Sequence, residues 1–98
     1  MTSREALRRL NRNREKLRTY HVRHIAVFGS TARDEATAHS DVDILVEFDP
    51  EARVGLFAYV RLLDFLADIM GTRIDLATPA ALRPEMRDQI VGEAVRAF

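Results

Sequence analysis

Apolar and polar residues alternate along this chain with two different periods, and the changes of period mark its elements. From Leu56 to Met70 the spacing is helical: Leu56, Tyr59, Val60, Leu63, Ala67 and Met70 form one face, and Ala58, Leu62, Phe65 and Ile69 widen it beyond the usual stripe. Only Arg61, Asp64 and Asp68 mark a narrow solvent side, and Gly71 is placed to end the helix. The excess apolar surface, at Leu62, Phe65 or Ile69, must pack on the terminal helices or on another chain. At the start, Thr2 and Glu5 have capping-box spacing. Ala6, Leu7, Leu10 and Leu17, with Arg14 among them, then leave a modest stripe on a strongly basic helix running to about Tyr20. Val22 to Phe28 and Val42 to Phe48 are rich in β-branched and apolar residues and predict two strands, the first stopped by Gly29 and the second by Asp49-Pro50. Ser30 is placed to cap a short helix over Thr31 to Glu35, and Ala36 to Ser40 is a polar loop. Thr72 to Ala77 predicts a third strand, and Pro84 opens a last helix carrying Met86, Ile90, Ala94 and Val95.

The predicted order is αβαβαβα, an α/β (α+β) arrangement in one domain over residues 1–98 without linkers or repeats. The connection between the first two strands is short for a right-handed parallel crossover. The turn after the first strand must also meet the carboxylates that open the second. Both conditions favour antiparallel pairing, hence a short mixed sheet flanked by helices.

Composition changes this picture little. At 98 residues the chain can bury one small core, and 47% hydrophobic and 31% charged residues are ordinary for a globular domain. Zero formal net charge disfavours a field-driven, sequence-blind grip on nucleic acid, although a local basic patch stays open; the basic first helix reads as a solvated face. Without cysteine there are neither disulfides nor thiolate metal sites. No apolar run approaches a membrane span, and no signal pattern opens the chain, so the expectation is a cytoplasmic protein with no membrane partner. His21, His24 and His39 show no ligand-like spacing.

The chemistry concentrates in Gly29-Ser30-Thr31-Ala32-Arg33 and Ser40-Asp41-Val42-Asp43. In a strand Asp41 and Asp43 would share one face, and two like charges held that close repel unless a cation sits between them. Oxygen-only ligands suit Mg²⁺ or Mn²⁺. Glycine before them permits close backbone approach, and free N–H groups there attract anions. Metal beside phosphate implies a nucleotide. Arg33 is open to two readings, a phosphate contact or a surface ion pair with a neighbour such as Asp34 or Glu35.

Gly-Ser-x-Ala-Arg, then Ser-Asp-x-Asp, with Ile74-Asp75-Leu76 on a later strand and a closing Leu82-Arg83-Pro84, resembles the DNA polymerase β superfamily of nucleotidyltransferases. Within it the chain resembles the minimal nucleotidyltransferases that accompany HEPN toxins as antitoxins. The resemblance implies the polymerase β-type fold, with Gly29 and Ser30 on the triphosphate and Asp41, Asp43 and Asp75 as catalytic carboxylates holding two Mg²⁺ ions. It further implies ATP as the donor of AMP to a hydroxyl of a HEPN partner, within a homo- or hetero-oligomer. Two other readings stand beside it: a non-catalytic antitoxin that neutralises its partner by contact, and nucleotide transfer to RNA. One residue departs from the pattern, Asp34, where the family usually has glycine.

Overall fold

A computed structural model describes all 98 residues. Helix α1 spans Ser3–Arg12 and α2 spans Arg14–Thr19, followed by β1 Val22–Val27, α3 Gly29–Ala32, β2 Val42–Phe48, α4 Leu56–Met70 and β3 Ile74–Ala77. A 3-10 turn at Pro79–Ala81 leads to α5 Pro84–Glu93 and β4 Val95–Arg96. The sheet is four-stranded in the order β3-β2-β1-β4. β1 lies antiparallel to β2 and to β4, whereas β2 and β3 are parallel, so the sheet is mixed as its short first connection requires.

Three sequence expectations need correction. The first helix is not continuous to Tyr20: it breaks at Asn13, whose Nδ2 donates back to the Arg9 carbonyl at 2.8 Å and competes with the helical ladder. The last helix stops at Glu93, and Ala94 and Val95 leave it. Val95 and Arg96 form an edge strand on Val27 and Ala26, a long-range pairing too short to read from periodicity. Ser30 does not cap α3, which spans Gly29–Ala32 rather than Thr31 to Glu35; it lies inside the helix, and its hydroxyl turns to Asp43.

The pleat sends alternate residues of the sheet into two cores. On one face Ile25, Val27, Val42, Ile44 and Val46 pack with Ala6, Leu10 and Leu17 of α1 and α2 and with Leu62, Leu66 and Met70 of α4. On the other, Ala26, Phe28 and Leu45 pack beneath Ile90, Ala94 and Leu82. The wide apolar face of α4 is thus partly taken up within the chain: Phe65 stacks on Tyr20 with ring centroids 5.3 Å apart, and Ile69 joins the main core. The buried stripe of α4 is Leu62, Leu66 and Met70 rather than the face expected from Leu56 and Val60, which stay exposed with Phe57 at the other end of the helix. Gly71 ends α4 in the left-handed conformation, and Arg9 reaches across from α1 to donate to the free carbonyls of Ile69 and Met70. Half of the expected capping box forms: the Thr2 hydroxyl accepts from the Glu5 N–H, while the Glu5 carboxylate pairs with Arg8 and Arg9 instead of reaching back to Thr2.

Asp34 adopts φ +58°, a left-handed conformation that glycine takes at no steric cost. The carboxylate compensates through tertiary contacts, accepting from the N–H and hydroxyl of Ser3 at 2.7 and 3.2 Å. An aspartate here ties the loop after α3 to the start of α1.

Candidate active site

The site lies where β1 ends and β2 and β3 begin. Antiparallel pairing of β1 with β2 brings the turn at Gly29 beside Asp43, and the parallel register of β2 on β3 sets Asp43 directly beside Asp75. Both acids point away from the main core, because Val42 and Ile44 occupy the alternate positions that face it. Gly29 has φ +56°, and a Cβ placed there would sit 2.6 Å from Oδ2 of Asp43. The glycine is therefore required twice, once by its backbone and once by the carboxylate it faces. Ser30 donates its hydroxyl to the same Oδ2 at 3.3 Å.

Burial, and after it the facing charge of Asp75, push the Asp43 carboxyl above its ordinary value, against the opposing pull of Ser30's hydrogen bonds. No lysine or arginine forms an ion pair with Asp43 or Asp75. Two hard oxygen donors facing each other without a protein cation fit a divalent ion. Asp41 stands differently. It precedes the strand and pairs with Arg73 Nε at 3.3 Å, and the site's carboxylates do not converge into a ready-made ligand cluster. The exposed Arg73 pair is weak, so exchanging it for an ion costs Asp41 little. Arg33 pairs with Glu35 and Glu93, at 3.2 and 3.0 Å, rather than with Asp34.

Three residues near these acids escape sequence reasoning. Thr31, the variable position of Gly-Ser-x-Ala-Arg, is fully buried and its Oγ1 accepts from the Asp43 N–H at 3.1 Å. Tyr59 of α4 donates to the Leu76 carbonyl at 2.9 Å, and burial followed by the charge of Asp75 pushes its phenol up. Glu93 accepts from the Gly29 N–H at 3.2 Å. A signal existed for Glu93, since an acid in the last turn of a helix opposes the macrodipole and calls for a tertiary partner. Thr31 and Tyr59 carry no comparable mark.

Thr31 yields a direct test of how β2 is held. Thr31→Val keeps the shape but leaves a buried N–H unpaired, a loss of about 1–3 kcal/mol. Thr31→Ser retains the acceptor. Thermal melts should rank wild type above Thr31→Ser and Thr31→Val lowest; equal melting of wild type and Thr31→Val would show that the hydrogen bond does not hold Asp43's backbone.

Strand acids paired beside a glycine-serine turn on a mixed sheet define a nucleotidyltransferase-type fold, and comparison with known proteins agrees. The family model described as "Nucleotidyltransferase domain" matches residues 7–97, and the chain belongs to that family. A solved protein provisionally described as a minimal nucleotidyltransferase superposes with a TM-score of 0.76 at 34% identity, covering 97% of this chain and 95% of that one. The protein adenylyltransferase MntA of Thermococcus cleftensis is 37% identical over 87 residues, 88% of this chain and 86% of the relative. MJ1379 of Methanocaldococcus jannaschii, which carries the provisional name of a protein adenylyltransferase, is 43% identical over 63 residues; the match spans 64% of this chain and 63% of that relative's length. An MNT antitoxin solved in complex with the tri-AMPylated HEPN toxin of Shewanella oneidensis shares the fold at 22% identity, with a TM-score of 0.60 over 91% of this chain and 70% of that one.

Proposed function

We propose that this chain is a metal-dependent nucleotidyltransferase that moves AMP from ATP to a hydroxyl of a HEPN-type toxin and thereby acts as its antitoxin. The observation that carries the reading is the register of Asp43 on Asp75 beside the Gly29-Ser30 turn. Donor and partner are supported by relatives: one is named a protein adenylyltransferase, and a fold neighbour is an antitoxin bound to an AMPylated HEPN toxin.

In this reading Asp41, Asp43 and Asp75 would hold Mg²⁺ or Mn²⁺, which when bound would offset charge on the attacking and leaving oxygens. The chain's own groups do the rest. The hydroxyl of Ser30 and the N–H groups around it orient the triphosphate so that its α-phosphorus faces the acceptor. Asp75 receives the acceptor's proton as the new oxygen–phosphorus bond forms. The bond from the α-phosphorus to the bridging oxygen breaks, and pyrophosphate leaves with that electron pair. Arg33 adds positive charge beside the departing phosphates once it is released from its acidic neighbours. A cytoplasmic setting is part of the proposal; no helix is long and apolar enough to cross a membrane.

The test is to incubate the chain with a purified HEPN partner, Mg²⁺ and ATP labelled on the α-phosphate. Label on the partner, together with loss of its ribonuclease activity, is the expected result. Neutralisation without label, preserved in Asp43→Ala, would instead identify an antitoxin that works by contact alone, and label on RNA rather than protein would redirect the acceptor.

A further inference from the structure

The donors that a nucleotide's phosphates would use are already engaged by an acid from the far end of the chain. Glu93 Oε1 accepts from the Gly29 N–H at 3.2 Å, while Oε1 and Oε2 accept from Arg33 Nη1 at 3.2 and 3.0 Å. Arg33 Nε is held in turn by Glu35 at 3.2 Å. A carboxylate and a phosphate oxygen present similar acceptors to a guanidinium and an amide, so the two compete for the same atoms. A carboxylate that stayed in place would also repel an incoming polyphosphate.

We propose that Glu93 is an internal competitor for the nucleotide's phosphates, bound to Gly29 N–H and Arg33 in the free protein and displaced when a nucleoside triphosphate arrives. The proposal rests on the nucleotide-binding reading above and adds to it the residue that sets affinity. Its position supports displacement over permanent bracing. The carboxylate ends α5, where the macrodipole opposes it, and the pair is partly open to solvent, with the Arg33 side chain 46% and the Glu93 side chain 26% exposed. An ion pair that open to solvent contributes little, so a multiply charged ligand can replace it. The consequence reaches the C-terminus, because Glu93 is separated from the two-residue strand β4 by Ala94 alone. By linkage, whatever pins Glu93 on Arg33 weakens nucleotide binding by the same factor that nucleotide weakens the pin.

The experiment is calorimetric titration of ATP, and separately inorganic triphosphate, with Mg²⁺ into wild type, Glu93→Gln and Glu93→Ala. It is accompanied by the side-chain carboxyl carbon resonance of Glu93 in the wild-type protein. Both variants should bind about two- to fivefold more tightly than wild type, the size expected when an exposed ion pair no longer has to be broken. The wild-type Glu93 resonance should move on saturation with ATP. Should Glu93→Ala fail to fold, the near-isosteric Glu93→Gln and the wild-type resonance decide. Unchanged or weaker binding by folded variants, or a Glu93 resonance that ATP leaves in place, overturns the competitor while leaving the nucleotide site standing on wild-type binding. Absence of ATP binding in wild type and variants alike overturns both.

Discussion

Replacing Asp43 with Asn is expected to cut nucleotidyl transfer by about 10³-fold, because metal stabilisation of transition-state charge is worth several kcal/mol and each 1.4 kcal/mol is tenfold in rate. The same change should make the metal-free protein more stable at neutral pH. Asp43 is partly buried and faces Asp75, and both circumstances raise its carboxyl above the ordinary value. A carboxyl raised on folding binds its proton more tightly in the native state. Its favourable contribution is full below the unfolded value and is lost as pH rises through the folded one. At neutral pH the ionised Asp43 therefore destabilises the fold relative to a neutral amide, so Asp43→Asn should melt higher than wild type there. The gain should vanish in acid, where Asp43 is protonated in both states. Mg²⁺ with ATP should stabilise wild type and not the variant. A variant that transfers AMP at the native rate, or that melts lower than wild type at pH 7 and gains nothing from ionisation, would remove Asp43 from the centre of the site.

Gly29→Ala should cost both stability and activity, for separable reasons. A left-handed conformation at a non-glycine residue costs about 1–2 kcal/mol, which for a domain of this size lowers Tm by roughly 4–16 °C. The added methyl also meets Asp43 Oδ2 at 2.6 Å, so the carboxylate must turn away from Ser30 and Asp75. Loss of transfer by at least about 10²-fold follows from that displacement, since an ångström of misplacement at reacting groups has that effect. The double variant Gly29→Ala/Asp43→Ala separates the two causes. Without the carboxylate the methyl has room, and only the backbone term remains, so the stability losses should sum to more than the double variant shows. Strict additivity would mean that Asp43 swings aside freely and that Gly29 matters for its dihedral angles alone.

Local signals in the chain were sufficient to place most of the elements. Gly29 and Gly71 stop regular structure because the chain there needs a left-handed residue, and Val42–Phe48 and Leu56–Met70 show strand and helix periods strong enough to set their bounds. The acids Asp41 and Asp43 were visible too, because a charge in or beside an apolar strand calls for a reason, whereas Asp75 entered only through the family resemblance. Even the antiparallel pairing of the first two strands followed from the short segment between them. Local pattern is silent on contacts made across long stretches of chain. That Asp43 meets Asp75 while Asp41 turns to Arg73 depends on the β2–β3 register and on where β2 begins. The break at Asn13, the edge strand at Val95 and Arg96 and the burial of Thr31 arise from packing, which overrides helix propensity once a sheet face must be covered. Glu93 is the sharpest case: on its own helix it is an ill-placed acid, and only the folding of α5 over the end of β1 gives it the Gly29 amide and the Arg33 guanidinium to hold.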